Sequence, residues 1–362
     1  MEKVRVGITG SGFIGQVHFD AFSRVNGAEV VAIADVDKKR RDAFAKRNNI
    51  KYKFDSLKQM AESDEVDLIT LGVPNYLHKD FAVECIKNGK HVVIEKPLCL
   101  TLADADEIIE ASRRYKRYAF YAEELCFIPK FVRAKEIVDA GGIGKPYMIK
   151  EWEKHAGPYS PWFFKRETAG GGIMMDMGCH AIEFARWFLN KPRVKSVYAQ
   201  VNLVLHKKIT NLDDNVIILI EFENGVVANL EASWALKGGM DSVMECYGTE
   251  GVIYADLLRG GGIKCYSEKG FGPNPVESRG WSFPEYDWNY QNGYPQEMQH
   301  FVDCILYNKK PIESAEDGKV VLEIMIAAYL SAATGRKIEF PLKVPYKYKY
   351  PVDLWLYPLK KR

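Results

Sequence analysis

Residues 4–15 read Val-Arg-Val-Gly-Ile-Thr-Gly-Ser-Gly-Phe-Ile-Gly, and residues 30–37 read Val-Val-Ala-Ile-Ala-Asp-Val-Asp. An apolar strand runs into a glycine turn, a helix starts, and a second apolar strand ends at Asp35. That order is the signature of a dinucleotide site. Gly10 permits a sharp turn, Gly12 lets backbone approach a pyrophosphate, and Gly15 lets the helix pack close to the sheet. The anion would sit at the helix N-terminus, where free N–H groups and the helix dipole favour negative charge. Asp35 would accept hydrogen bonds from the adenosine ribose.

Outward from this stretch, strand and helix patterns alternate to about residue 122. Strands are expected at 3–9, 29–35, 67–73, 91–94 and 118–122, with helices near 13–25, 38–47, 56–62, 76–88 and 101–114. Apolar strands separated by helices imply a parallel sheet buried on both faces, a doubly wound Rossmann α/β domain over 1–123. The pattern then changes. Helices near 129–140 and 176–189 and strands at 146–154, 194–205, 214–222, 225–234, 242–247 and 251–255 follow, with Asn224-Gly225 as a hairpin turn. A second α/β domain over 124–340 is expected, with a large, mostly antiparallel open sheet. Residues 257–292 read as a glycine-rich flap, helices near 294–307 and 316–334 close the fold, and 341–362 form a Tyr-, Pro- and Lys-rich tail.

Composition restricts function. The chain has 362 residues, too many for most single cores. A hydrophobic content of 47%, a charged content of 27% and a net charge of +2 suit a soluble globular protein and give no reason for nucleic acid or membrane as partners. The N-terminus lacks an apolar signal region, and the 7 cysteines form no Cys-x-x-Cys pair, so reduced thiols in a cytoplasm are expected.

Three clusters can do chemistry. The strand His91–Glu95 runs into Lys96-Pro97, which puts Lys96 at a carboxyl strand end beside the crevice. Asp176, His180 and Glu183 have the spacing of one helix face, so that an acid can orient a histidine for general-base work. A structural acid–histidine pair is the plainer reading of the same spacing. A metal on that face would lack a third and fourth ligand, and none is expected. Pro74, Asn75 and His78 stand at another strand end. Asn75 has two roles open to it, helix cap or crevice contact. The loop 155–172 carries His155, Tyr159 and Trp162, which with Lys154 suit a sugar ring; core packing is the alternative for Trp162, Phe163 and Phe164. Asn289, Tyr290 and Tyr294 are candidates for the other side.

Taken together, Gly-Ser-Gly-Phe-Ile-Gly at 10–15, Ala-Asp-Val-Asp at 34–37, Pro-Asn-Tyr-Leu-His at 74–78, Glu-Lys-Pro at 95–97 and Gly-Gly-Gly-x-x-x-Asp-x-Gly-x-His at 170–180 resemble the glucose–fructose oxidoreductase / inositol dehydrogenase (Gfo/Idh/MocA) family. The resemblance implies catalytic roles for Lys96, Asp176 and His180, and a Lys96–Pro97 peptide of a kind commonly cis. It implies cofactor contacts from Gly10, Ser11, Gly12, Phe13, Ile14, Gly15, Asp35, Pro74, Asn75, His78, Glu95, Lys96 and Glu123. Substrate contacts would come from Lys96, His155, Tyr159, Trp162, Asp176 and His180. It further implies NAD-dependent hydride transfer at a secondary hydroxyl of a sugar, sugar derivative or cyclitol, and a homodimer or homotetramer formed through the C-terminal sheet. In that reading His180 takes the hydroxyl proton, Lys96 supports the alkoxide, and Asp176 orients His180 or binds a neighbouring hydroxyl. Asp35 favours NAD over NADP, while Lys38, Arg40 and Arg41 keep NADP open. The segment Ala122-Glu123-Glu124-Leu125-Cys126-Phe127 departs from the family pattern at Glu124 and Cys126, where Asn and Arg are common, and Glu183 stands where Asp is frequent. An NAD-dependent glycosidase, oxidising the ring transiently before elimination, is the alternative activity.

Overall fold

The computed structural model describes residues 3–158, 160–258 and 288–358, and the backbone of 265–267 and 280–282. Strands β1 (Val4–Thr9), β2 (Ala28–Ala34), β3 (Tyr52–Phe54), β4 (Leu68–Leu71), β5 (His91–Glu95) and β6 (Ala119–Ala122) form a 6-stranded parallel sheet in the order β3-β2-β1-β4-β5-β6. Its strands are apolar because both faces are covered: Val6, Ile8, Leu68, Ile69, Val92, Val93 and Ile94 have no exposed surface. The order reverses between β1 and β4, which opens a crevice at the carboxyl ends of those strands. β3 escapes the sequence pattern because a 3-residue edge strand is too short to show a period. Local signals set the helix starts: Asp37 caps the helix at 38–47, and Thr101 with Asp104 forms a capping box before the helix at 102–115.

The second sheet contains β7 (Pro146–Lys154), β8 (Val194–Asn202), β9 (Asn215–Phe222), β10 (Val227–Ser233), β11 (Asp241–Gly248) and β12 (Gly251–Asp256). Its order is β12-β11-β7-β10-β9-β8, with Ile338–Glu339 added beyond β8. β7 and β10 run parallel and the other pairs antiparallel. In β7 the residues Ile149, Glu151 and Glu153 are buried beneath the covering helices, while Met148, Lys150, Trp152 and Lys154 alternate onto the other face. Helices at 179–188 and 315–334 cover the inner face.

The two sheets are tied together at the start of the 315–334 helix, where Phe120 bridges Ser314 and the Tyr121 N–H donates to the Glu313 carbonyl at 3.5 Å. The tail folds back on its own chain. The Val352 N–H donates to the Gly170 carbonyl at 3.2 Å, Val352 and Leu354 are buried, and Arg166 pairs with Asp353 at 2.9 Å. Of the expected flap, residues 259–264, 268–279 and 283–287 lie outside the described residues. Among the described residues no helix is long and apolar enough to cross a membrane.

Candidate active site

The glycine turn after β1 is shaped by its three spacings. Gly10 has φ +88°, and a Cβ on Gly15 would meet the Gly10 carbonyl oxygen at 2.0 Å, so the helix at 13–22 lies tight against the turn. At Gly12 the position of a Cβ has only the Arg40 guanidinium nearby, at 3.9 Å, and that flank is open. The helix has no side-chain cap, which leaves its first N–H groups to an anion. Asp35, at the end of β2, accepts from the Ser11 N–H at 2.8 Å, the Ser11 hydroxyl at 2.5 Å and the Asp37 N–H at 2.9 Å. Burial raises its pKa, but these bonds and the charge of Arg40 outweigh burial and keep it an acceptor below the usual carboxylate range. An open glycine flank, uncapped N–H groups and an ionised acid across the turn fit a dinucleotide.

Three residues expected at the cofactor also make internal contacts at the strand ends. His78 is fully buried, and its ring nitrogens contact the Pro97 carbonyl at 2.9 Å and the Val73 carbonyl at 2.8 Å. Asn75 is buried and donates to the Ala169 carbonyl at 2.9 Å, which pins the β4 end to the second lobe. Glu95 is held from within by His18 at 2.8 Å and receives the Lys96 N–H at 3.2 Å. These polar side chains fix the strand ends because buried polar groups need partners. A sequence alone cannot tell a strut from a ligand contact when both stand at a strand end.

Lys96 follows β5 through a cis Lys96–Pro97 peptide. Its ammonium donates to the Asp176 carbonyl at 2.9 Å and the Asp176 carboxylate at 3.1 Å. Burial would lower the Lys96 pKa, but Asp176 outweighs it and the amine stays protonated. Asp176 also accepts from the Trp234 indole at 2.9 Å and lies 3.5 Å from His155 Nε2. Lys96 and His155 outweigh its burial and hold it ionised.

The glycine run explains how Asp176 arrives there. A Cβ on Gly172 would meet the Asp213 carbonyl oxygen at 1.9 Å. The Asp213 carboxylate accepts the Gly172 N–H at 3.0 Å, the Met174 N–H at 2.8 Å and the Tyr329 hydroxyl at 2.7 Å. The chain then makes a wide π turn at Met174–Gly178 before the α-helix Cys179–Phe188 begins. A continuous α-helix was expected. The wide turn breaks the i, i+4 register, so Asp176 faces Lys96 and Trp234 rather than His180.

The acid on His180 is Glu123. His180 Nδ1 and Glu123 Oε1 are 2.5 Å apart, and Glu123 has no exposed surface, so it lies beneath the imidazole. Burial raises the Glu123 carboxyl well above its ordinary range and lowers His180. On the other side, His180 Nε2 lies 3.8 Å from Glu124 Oε1, which accepts from the Tyr294 hydroxyl at 3.2 Å. Burial, reinforced by Glu123 and Glu95 and opposed by His180, moves Glu124 to about 7. Glu183 turns away from the site and joins Arg186, Lys191, Glu313 and Asp317 in an internal ion network. Among the described residues, metal-type atoms come within 4.8 Å of one another in two groups, Glu123 with Glu124 and His180, and Glu183 with Glu313 and Asp317, but not in the trio Asp176, His180 and Glu183.

Around this centre Phe13 packs edge-on against Trp288 at 5.9 Å, and Trp288 stacks on Tyr294 at 5.7 Å, an aromatic wall from the glycine turn to Glu124. Trp162 is half-buried and stacked on Phe163 at 3.8 Å, outside the deep core. Lys154 pairs with Glu231 at 2.6 Å on the far face of the sheet. Tyr159 lies outside the described residues, Asn289 is half-buried and Tyr290 is exposed. Asp213, Trp234 and the Glu123–His180 contact escaped the sequence reading because each depends on a pairing distant in the chain; the one trace was the acidic pair Glu123-Glu124.

Residues 4–122 match the model for an oxidoreductase family with an NAD-binding Rossmann fold, and residues 131–254 match the GFO/IDH/MocA C-terminal domain. The myo-inositol 2-dehydrogenase of Thermotoga maritima is 27% identical over 93% of this chain and 98% of its own. The NAD(+)-dependent scyllo-inositol 2-dehydrogenase of Bacillus subtilis is 28% identical over 95% of this chain and 98% of its own. The structure of GenD2 from gentamicin A biosynthesis, solved in complex with NAD, superposes with a TM-score of 0.88 at 31% identity, covering 94% of this chain and 97% of that one. With its parallel dinucleotide sheet, its lysine at the crevice and both domain matches in register, this chain belongs to the GFO/IDH/MocA family of NAD-binding oxidoreductases.

Proposed function

We propose that the substrate is a sugar, sugar derivative or cyclitol, and that Lys96 and His180 act together on one secondary hydroxyl. The two inositol dehydrogenases that align along nearly the whole chain support this class. NAD supplies a hydride acceptor for the carbinol carbon. His180 Nε2 takes the hydroxyl proton, and the product is the ketone. Lys96 donates to the same oxygen and offsets its alkoxide charge in a desolvated crevice. Glu123 holds the imidazole by Nδ1 and stabilises its protonated form, while Asp176 aims the ammonium.

The observation that carries this reading is the bond from Lys96 to Asp176 at 3.1 Å. It draws an amine from the first lobe to the wide turn that precedes His180, close enough for its charge to lower the His180 pKa. We assign the first 123 residues to the cofactor lobe and the chain to a reducing cytoplasm, since the thiols of Cys85, Cys99, Cys126, Cys179, Cys246 and Cys304 are free and buried. The open face of the second sheet carries exposed Ile217, Leu219, Val252 and Tyr254, an apolar surface suited to a homodimer or homotetramer contact. A panel of pyranoses, inositols and glycosides read by NADH absorbance tests the assignment. Net NADH with a free polyol supports it; release of a leaving group without net NADH would replace it with the glycosidase.

A further inference from the structure

We propose that Glu124 selects a substrate bearing a protonated amine beside the hydroxyl that is oxidised. This rests on the assignment of Lys96 and His180 above and narrows the substrate class. Glu124 Oε1 is 3.8 Å from His180 Nε2, the nitrogen that faces the reacting oxygen. A general base works at roughly 2.6–3.2 Å from its proton donor. A substituent on the carbon next to the carbinol therefore falls within reach of the Glu124 carboxylate.

The surroundings favour a cation at that point. The groups acting on Glu124 are Glu123 on its own turn, His180 from the helix at 179–188, Lys96 and Glu95 from the end of β5, and Tyr294 and Glu297 from the helix at 294–307. Lys96 is already neutralised by Asp176, and Glu95 is held by its hydrogen bond with His18. The Tyr294 hydroxyl occupies one lone-pair direction of Glu124 and carries no charge. An ionised Glu124 in this crevice thus lacks a full counter-charge, and an unpaired buried charge is costly. An ammonium on the substrate supplies it through a charge-assisted hydrogen bond. A substrate carboxylate at the same point would meet Glu124 and the Glu123–His180 pair as like charge. An amide at this position could bind a hydroxyl but would give no such preference.

The test is a matched series read by NADH formation at neutral pH: glucose with its 2-, 3- and 4-amino-deoxy analogues and glucuronate, and myo-inositol with an aminocyclitol. At least one amine should exceed its hydroxyl parent in kcat/KM by about ten-fold, the low end for a hydrogen bond to a charged group, with the acid poorest. The difference should lie mainly in KM. In Glu124→Gln the ratio of amine to parent should fall by about the same factor, with NAD binding measured by fluorescence as the check on folding. Parents that outperform every amine in the native chain, or an amine preference that survives Glu124→Gln, overturns the proposal while leaving the dehydrogenase assignment intact. No NADH with any member of either series overturns both.

Discussion

His180 Nδ1 and Glu123 Oε1 lie 2.5 Å apart, although the chain places them 57 positions from each other. The carboxyl is fully buried, and burial acts on both partners in the same sense by disfavouring charge. When Glu123 is ionised and His180 neutral the pair carries a negative charge; one added proton neutralises it. Burial therefore makes the dyad a better base than a lone buried imidazole would be.

Replacing Glu123 with Gln should lower turnover by ~10²–10⁴ with little change in NAD affinity. Oxidation needs the unprotonated dyad, so its rate rises with pH on the acid limb. Without the anionic partner the imidazole binds its proton less tightly, and that limb should move to lower pH. A pH–kcat profile of the variant checks this; an unmoved limb contradicts the pairing.

Lys96→Ala and His180→Ala should each reduce turnover by ~10²–10⁴ while the coenzyme still binds. Stopped-flow hydride transfer together with fluorescence titration of NADH separates the two effects. Near-native turnover in both variants would remove them from the chemistry.

The glycine run makes a structural prediction. Gly172→Ala forces a Cβ to within 1.9 Å of the Asp213 carbonyl oxygen, and that neighbour is backbone, which cannot swing aside. Overpacking of this kind costs about 1–3 kcal/mol. A thermal melt should show a lower Tm, and turnover should fall as well, because the same turn aims Asp176.

Glu151 is fully buried, and its carboxyl shares a hydrogen bond with the neighbouring buried Glu153. Burial and the neighbouring Glu153 push its pKa well above the ordinary value of 4.5. The unfolded chain then ionises this group before the folded chain does, so stability falls as pH rises above about 4.5. Glu151→Met should raise Tm at pH 8, and the gain should shrink toward pH 5. A constant gain across that range contradicts the assignment of a protonated acid.

The doubly wound sheet and its glycine turn were legible because each depends on neighbours in the chain: apolar runs of strand length, glycines at fixed offsets, Asp35 at the next strand end. The second sheet was readable from alternation and from Asn224-Gly225. The candidate residues Lys96, Asp176 and His180 were legible as residues but not as pairs. Spacing in a regular helix joined Asp176 to His180, and only the wide turn at Met174–Gly178 shows why they part. The bonds of His78, Asn75 and Glu95 to Pro97, Ala169 and His18 could not be read from their places at strand ends, because a buried polar partner is supplied by folding and leaves no local mark.

The most direct measurement is a structure of the ternary complex with NADH and a polyol that the enzyme oxidises. One substrate oxygen should lie within hydrogen-bond reach, about 3 Å, of both Lys96 Nζ and His180 Nε2. An oxygen that meets only one of them, with the other turned from the coenzyme, would contradict the account.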